Sequence, residues 1–259
     1  MPARTGLFGA LVVACIAAAA RADTATIAVA ANFAAPAEAL QQIFERQSPH
    51  RLRFTSGSTG QLYAQIVNGA PFDALLSADR EHVDQLVTAG LADETLRFTY
   101  AVGQLALWTR AAEKFAPLNL ESLARNDYRW LAIANPELAP YGLAAEQTLR
   151  KLGLWEQLQS RIVRGESIAQ TFALAETRNA DLALVALSQV ISYKGEAASF
   201  EIPLELYAPI RQDAVLLKRA SGNAAARAFL GSLRSPDARR TIEAFGYAPG
   251  PSDSAPPAR

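Results

Sequence analysis

Short apolar runs alternate with longer amphipathic segments along most of the chain. In the first unit, Thr26 to Ala30 is an apolar run typical of a buried strand, and Leu40, Ile43 and Phe44 then recur at helical spacing. Similar runs predict further strands at Leu52 to Thr55, Ala74 to Ser77, Leu105 to Thr109, Leu131 to Ala134, Leu182 to Leu187 and Ala214 to Lys218.

The segments between these runs carry the spacing of amphipathic helices. Beyond the helix expected after Pro36, they are Leu62 to Asn68, Arg80 to Ala89, Leu143 to Lys151, Ile168 to Thr177, Asn223 to Leu233 and Pro236 to Ala244. Strands that alternate with helices are typical of α/β proteins with mainly parallel sheets. The sequence therefore predicts an α/β fold, and its length allows one large domain or two modest ones.

The N-terminal segment has the features of a cleaved export signal. An apolar stretch from Leu7 to Ala20 precedes the small-x-small sequence that ends at Ala22, so cleavage is expected before Asp23. The stretch is too short to span a bilayer, which predicts a mature protein free in the periplasm. An alternative is a lipid anchor at Cys15, because Val12 to Cys15 loosely resembles a lipobox.

Composition narrows the possible chemistry. Cys15 is the only cysteine and lies in the signal, so the mature chain has no thiol for a disulfide, a metal or a nucleophile. Loss of Arg4 and Arg21 leaves 23 basic residues against 25 acidic ones. This near-neutral balance, without a basic block, argues against a nucleic-acid partner. The Pro- and Ser-containing tail from Pro249 to Arg259 is expected to be disordered.

The segment from Thr55 to Gly60 is the most informative stretch, since it joins a predicted strand to a predicted helix. It places hydroxyl groups and flexible backbone at a helix N-terminus, where unpaired N–H groups and the helix dipole favour an anion. Taken alone, an ordinary turn with a Ser or Thr N-cap explains it better. No Lys follows the glycines, so the segment is not a nucleotide-binding P-loop.

Three other strand-to-helix junctions have the same character. Asn32 follows the first strand, Tyr141 opens a helix after two prolines, and Ile168 opens another after Gly165. Each has an ordinary interpretation as an N-cap, a cleft edge or a core residue. Ligands in open α/β sheets bind beyond the carboxyl ends of the strands, so the junctions together indicate an anion held by neutral donors.

Enzyme chemistry has little support in the sequence. His50 and His82 have no second His or Cys at metal-ligand spacing. His82, Ser58 and an Asp could form a triad, but no nucleophile-elbow pattern is present. A Ser-dependent hydrolase is therefore a remote alternative, and we expect neither an enzyme nor a cofactor.

At these residues the chain resembles the periplasmic molybdate-binding proteins of ABC transporters, over nearly its whole mature length. The stretches that carry the resemblance are Val29 to Phe33, Ser56 to Gly60, Tyr63 to Pro71, Ser77 to Asp79, Phe98 to Ala101 and Asn135 to Gly142. The resemblance implies a type II periplasmic-binding-protein fold, in which two α/β lobes hinge around a ligand cleft. It implies one lobe at 23–103 and 213–250 and a second at 104–212. The signal peptide expected from the residues themselves then takes 1–22, and the disordered tail takes 251–259.

The resemblance also implies the function. The protein would capture molybdate or tungstate as a monomer and deliver it to the membrane permease of an ABC importer. Sulfate or another tetrahedral oxyanion is the alternative ligand. Phosphate is less favoured, because its proton at neutral pH requires an acceptor and no carboxylate is clearly placed at the four junctions.

The ligand set implied by the resemblance falls on the junctions. Asn32 would donate through its amide, Thr59 through its hydroxyl and N–H, and Tyr141 and Ile168 mainly through their backbone N–H groups. Ser58 is a neighbour that could add its hydroxyl. The molybdenum atom itself would be held only through its oxygens.

Two departures from the family concern this set. Some members have a hydroxyl residue at the position of Ala31, and some bind the anion with a tyrosine at the position of Ala186. Ala31 can then offer only its backbone N–H. Asn32 or Tyr141 would replace the missing tyrosine.

Overall fold

The computed structural model describes residues 22–125 and 127–248. Residues 1–21 lie outside these ranges, and with them all but the last residue of the predicted signal peptide and the alternative anchor at Cys15. The tail from residue 249 also lies outside them. Within them, no helix combines the length and the apolar character that crossing a membrane requires.

Strands and helices alternate through the described residues. The strands are β1 Thr24–Ala30, β2 Arg51–Gly57, β3 Ala74–Leu76, β4 Phe98–Gly103, β5 Leu105–Thr109, β6 Leu131–Ala134, β7 Ile162–Gly165, β8 Leu182–Ala186, β9 Ala198–Glu201 and β10 Ile210–Leu216. The α-helices are α1 Ala34–Gln47, α2 Thr59–Val67, α3 Glu81–Thr88, α4 Ala112–Phe115, α5 Pro140–Lys151, α6 Trp155–Leu158, α7 Ile168–Glu176, α8 Leu187–Ser192, α9 Ala224–Ser232 and α10 Pro236–Ala244. A 3-10 turn, Ala31–Phe33, joins β1 to α1.

The strands form two five-stranded sheets, ordered β2-β1-β3-β10-β4 and β7-β6-β8-β5-β9. In each sheet one strand has parallel neighbours, namely β1 and β6, and another has antiparallel neighbours, namely β10 and β5. The expectation of mainly parallel sheets is therefore wrong. The antiparallel strands β10 and β5 are the ones that enter each sheet after the chain has crossed from the other sheet, so no helical crossover within one sheet sets their direction.

The chain passes between the sheets twice. It enters the second sheet at Gln104 and returns to the first between β9 and β10, where Ile210 pairs with Gly103. We call the layers around the two sheets the first lobe and the second lobe. This arrangement confirms the predicted two-lobed α/β fold, and the residue boundaries between the lobes stay a prediction.

Each lobe has its own apolar core. In the first lobe, Phe33, Phe44 and Phe229 pack with the central strands, and all three rings are buried. In the second, Phe115 and Trp155 pack against β6 and α5. The turns that follow the carboxyl ends of β1, β2, β6 and β7 meet at one cavity between the lobes.

Candidate functional site

The structure brings the six predicted ligand residues to one cavity between the lobes. The first lobe contributes four of them and the second lobe contributes two: Ala31, Asn32, Ser58, Thr59, Tyr141 and Ile168. Gly57, Ala78, Ala139 and Pro140 complete much of the wall. The free volume is about 10 Å³, which is close to the room that one water-sized group requires.

Helices begin at this cavity from both lobes. Helix α2 begins at Thr59, α5 at Pro140 and α7 at Ile168, and the 3-10 turn begins at Ala31. The first N–H groups of a helix have no partner within it, and the helix dipole places partial positive charge there. Pro140 has no N–H, so the first N–H donor of α5 belongs to Tyr141.

Two hydroxyl groups at the start of α2 differ in their bonding. Thr59 Oγ1 accepts a hydrogen bond from the Ala78 N–H at 3.0 Å, which leaves the hydroxyl proton free for another acceptor. The neighbouring Ser58 is only 3% exposed, and its Oγ makes no hydrogen bond to any residue that the structure describes. Buried hydroxyl groups almost always have a partner, so the Ser58 hydroxyl indicates a ligand.

The wall of the cavity is electrically neutral. Among the described residues, no Lys, Arg, Asp or Glu lines it. The same ranges hold no cluster of His, Cys, Asp and Glu that could bind a metal ion directly. A ligand here would be held by N–H and O–H dipoles, an arrangement that suits an anion which brings its own charge.

A buried hydrogen-bond network lies behind the cavity. Asn32 Nδ2 donates to Gln212 Oε1 at 2.9 Å and to Tyr247 Oη at 3.0 Å, so both amide hydrogens have protein partners. Gln212 Oε1 also accepts from Tyr100 Oη at 3.0 Å, and Gln212 Nε2 donates to Tyr141 Oη at 3.2 Å. The network links both lobes through β10, one of the strands next to their crossing.

The tyrosines of this network are uncharged. Burial raises the pKa of Tyr247 to about 12, and it raises the pKa values of Tyr100 and Tyr141 well above their usual 10.0. Neutral phenols can donate as well as accept hydrogen bonds. These side chains therefore add no negative charge behind the cavity across the physiological pH range.

The geometry offers no support for the hydrolase alternative. His82 Nδ1 lies 2.7 Å from Asp79 Oδ2. Burial lowers the pKa of His82, but the hydrogen bond to Asp79 and the charge of that carboxylate outweigh it, so the pKa is raised. Ser58 Oγ makes no hydrogen bond to His82, so the serine that this alternative requires has no general base bonded to it.

A comparison with protein families decides the class of the molecule. The family model for bacterial extracellular solute-binding proteins matches residues 25–248. The chain belongs to this family. Its members bind solutes, and the sequence-based prediction of a solute-binding protein is confirmed.

Relatives within this family are similar over most of the chain. The molybdate-binding protein ModA of Azotobacter vinelandii is 44% identical over 243 residues, which cover 92% of this chain and 94% of the relative. ModA of Rhodobacter capsulatus is 43% identical over 224 residues, or 85% and 86% of the two chains. These similarities confirm the resemblance inferred from the sequence motifs.

Solved structures support the fold. The periplasmic molybdate-binding protein of Azotobacter vinelandii superposes with a TM-score of 0.81 at 39% identity, covering 86% of this chain and 98% of that one. The two-lobed fold inferred from the resemblance is therefore confirmed.

Sequence analysis missed three residues of the network behind the cavity, which Ser188 joins because its Oγ lies 3.1 Å from Tyr247 Oη. Gln212 lies in β10, Ser188 in α8 and Tyr247 near the end of the described chain. Gln212 and Tyr247 stand at no strand-to-helix junction. Ser188 does, in the first turn of α8 directly after β8, but the sequence predicted a strand through Leu187 and no helix after it. Tyr100 does lie in a stretch that carries the family resemblance, which was the one available signal.

Proposed function

We propose that the protein captures molybdate or tungstate in the cavity between its lobes and delivers it to the permease of an ABC importer. The main support is the convergence of three helix N-termini and an unpartnered buried hydroxyl on one small neutral cavity. The relatives that are 43% and 44% identical are molybdate-binding proteins, which supports the same ligand here.

Seven donors would hold the anion. They are the N–H groups of Ala31, Asn32, Thr59, Tyr141 and Ile168, with the hydroxyl groups of Ser58 and Thr59. The side-chain amide of Asn32 is occupied by Gln212 and Tyr247, so the backbone N–H replaces it as the proposed donor. Molybdenum would be contacted only through its oxygens.

Neutral donors are sufficient in energy. Charge-assisted hydrogen bonds contribute roughly 1.5 to 3 kcal/mol each, so seven give on the order of 10 to 20 kcal/mol before costs. Micromolar to nanomolar affinity requires roughly 8 to 12 kcal/mol net. The dianion can therefore bind tightly without a Lys or Arg beside it.

The lining also favours a fully deprotonated anion. Hydrogen phosphate carries a proton that requires an acceptor, and among the described residues no carboxylate lines the cavity. Molybdate, tungstate and sulfate carry no proton at neutral pH, so the protein can distinguish sulfate from the other two only by its smaller size. Because the relatives are molybdate-binding proteins, we favour the larger anions, molybdate and tungstate, over sulfate.

Capture requires no covalent chemistry. Ser58 has no base beside it, and the protein acts as a binding protein rather than an enzyme. Donors from both lobes reach the anion only when the lobes are closed, so the ligand shifts the population toward the closed form. The closed monomer would then dock on its permease in the periplasm, after removal of the signal peptide.

Thermal unfolding with different anions tests this function. A ligand that binds only the folded state stabilises it by RT ln(1 + [L]/Kd), which is about 2.7 kcal/mol at a hundredfold excess over Kd. We expect molybdate and tungstate to raise the melting temperature of the chain from Asp23 onward, with sulfate and phosphate having much smaller effects. A rise with sulfate alone would change the ligand, and no rise with any anion would reject the proposal.

A further inference from the structure

The first turn of α8 contacts two of the turns that line the cavity, although α8 itself does not line it. Ser188 Oγ donates to the Asn32 carbonyl oxygen at 2.8 Å. Gln189 Nε2, one residue later, donates to the Ile168 carbonyl oxygen at 3.0 Å. One short segment thus supports a proposed donor turn in each lobe.

The two contacts differ in what they join. Gln189 and Ile168 both lie in the second lobe, and Gln189 Oε1 also accepts from the Ala186 N–H at 3.1 Å. The bond from Gln189 to Ile168 therefore does not depend on how the lobes are arranged. Ser188 follows β8 of the second sheet, whereas Asn32 follows β1 of the first, so its bond crosses the cleft.

The Asn32 carbonyl oxygen, which accepts the bond from Ser188, is also held by a second hydrogen bond. Tyr247 Oη donates to the same Asn32 carbonyl at 2.7 Å and lies 3.1 Å from Ser188 Oγ. Ser188 is buried, with 3% of its surface exposed, so water does not replace the bond while the lobes are closed. Asn32 belongs to the same 3-10 turn as Ala31, which offers its N–H to the cavity.

We infer that Ser188 is a positioning residue that retains the bound anion. Its hydroxyl bonds to Asn32 only when the lobes close, and it then fixes the turn that carries two of the donors. This inference rests on the proposed oxyanion-binding function. Opening the cleft must break the bond, so Ser188 acts on the release of the anion and hardly on its entry.

Release and association rates of Ser188→Ala test this role. Radiolabelled molybdate is bound to the full mature chain, and its release into an excess of unlabelled molybdate is followed by filter binding. We expect the release rate constant to rise roughly three- to tenfold, as for the loss of one net hydrogen bond, with the association rate constant nearly unchanged. Small-angle scattering should also show less compaction of the variant at equal molybdate.

Ser192→Ala is the matched control. Ser192 lies on the same helix, and its Oγ donates to the Ser188 carbonyl oxygen at 2.6 Å without crossing the cleft. We expect this variant to release molybdate at the wild-type rate.

Several results would overturn the inference. One is a release rate constant of Ser188→Ala equal to that of the wild type. The others are a change in its association rate constant alone, or an equal rise in the release rate constant of Ser192→Ala. Absence of molybdate binding by the wild type would reject the proposed function and the inference together, whereas normal wild-type binding with unchanged release by Ser188→Ala rejects the inference alone.

Discussion

Individual residues at the cavity show which polar groups already have partners. An N-cap serine normally accepts a hydrogen bond from the N–H of the second or third helical residue, as Ser235 does at α10 from Ala238 at 3.1 Å. Ser58 stands at the N-cap of α2, yet its Oγ has no such bond. Its N–H instead donates to Gln61 Oε1 at 3.4 Å. The hydroxyl is thus free for a ligand.

Substitution of Ser58 by Ala should separate binding from stability. The change removes a buried hydroxyl without breaking a hydrogen bond within the protein, so the melting temperature of the anion-free protein should stay the same or rise slightly. Molybdate affinity should fall roughly tenfold or more, the effect of one charge-assisted bond. Calorimetric titration and thermal unfolding measure the two quantities.

Ser235→Ala is the control with the opposite pattern. It removes an N-cap bond far from the cavity, so unfolding should become easier by about 1 kcal/mol while molybdate affinity is unchanged. If Ser58→Ala behaves like Ser235→Ala, the Ser58 hydroxyl serves the helix and not the ligand.

The sequence predicted where the site residues lie better than what their side chains bond. Thr59, Tyr141 and Ile168 could be found because each opens a helix after a strand, which is a local pattern. The partners of the Asn32 amide could not, since Gln212 and Tyr247 are 180 and 215 residues away along the chain. Only folding brings those groups together.

At the scale of secondary structure, the close approach of α5 to β6 positions the Tyr141 N–H. Gly142, in the first turn of α5, lies so close to the end of β6 that a Cβ there would be 2.3 Å from the Ala134 carbonyl oxygen. A side chain at this position would push the helix N-terminus away from the strand.

Gly142→Ala should therefore weaken molybdate binding roughly tenfold or more, because one or two charge-assisted hydrogen bonds would be lost. It should also lower the melting temperature. Gly231→Ala is the matched control, because nothing lies within 4 Å of a Cβ there and Ala favours the helix α9. Its melting temperature should stay equal or rise, with wild-type affinity in calorimetry. Wild-type affinity in Gly142→Ala would contradict the proposed role of α5.

Secondary structure was predictable where the sequence shows a continuous apolar run or apolar residues at helical spacing, as Ala238 and Ile242 are in α10. Strands β5 and β6 and helix α10 have the bounds read from the sequence. The strands that the sequence analysis missed, β4, β7 and β9, all lie at sheet edges. In β9 the residues alternate between half-buried and exposed, and β7 includes the exposed Arg164, so neither shows a continuous apolar run.

At the scale of the whole molecule, the buried tyrosines behind the cavity should make the protein less stable at high pH. The pKa of Tyr247 is about 12 in the folded protein against 10.0 for an exposed tyrosine. Below pH 10 both the folded and unfolded states keep the proton. Above it the unfolded state loses its proton first, so stability falls as the pH rises toward 12.

Urea unfolding from about pH 8 to about pH 11 measures this loss. The free energy of unfolding should be steady at first and then fall, with Tyr247 contributing on the order of 1 to 2 kcal/mol by the upper end. Tyr247→Phe should start from a lower stability and show a smaller loss over the same range. Equal losses in both proteins would show that Tyr247 does not titrate as its burial implies.

The two lobes together make a site that neither contains alone. The first lobe supplies the N–H groups and hydroxyls of the 3-10 turn and α2, and the second supplies the first N–H groups of α5 and α7. The lobes also bond directly across the cleft, where the Gly60 N–H donates to the Leu138 carbonyl at 3.0 Å. We therefore expect anion binding and closure of the lobes to occur together.

Anomalous X-ray diffraction at the molybdenum absorption edge, on crystals of the mature protein grown with molybdate, would locate the bound anion on the molecule. We predict one strong anomalous peak between Thr59, Tyr141 and Ile168, within hydrogen-bonding reach of donors from both lobes through the four oxygens. A peak elsewhere on the protein, or none at a molybdate concentration well above that of the protein, would show that the cavity between the lobes does not bind molybdate.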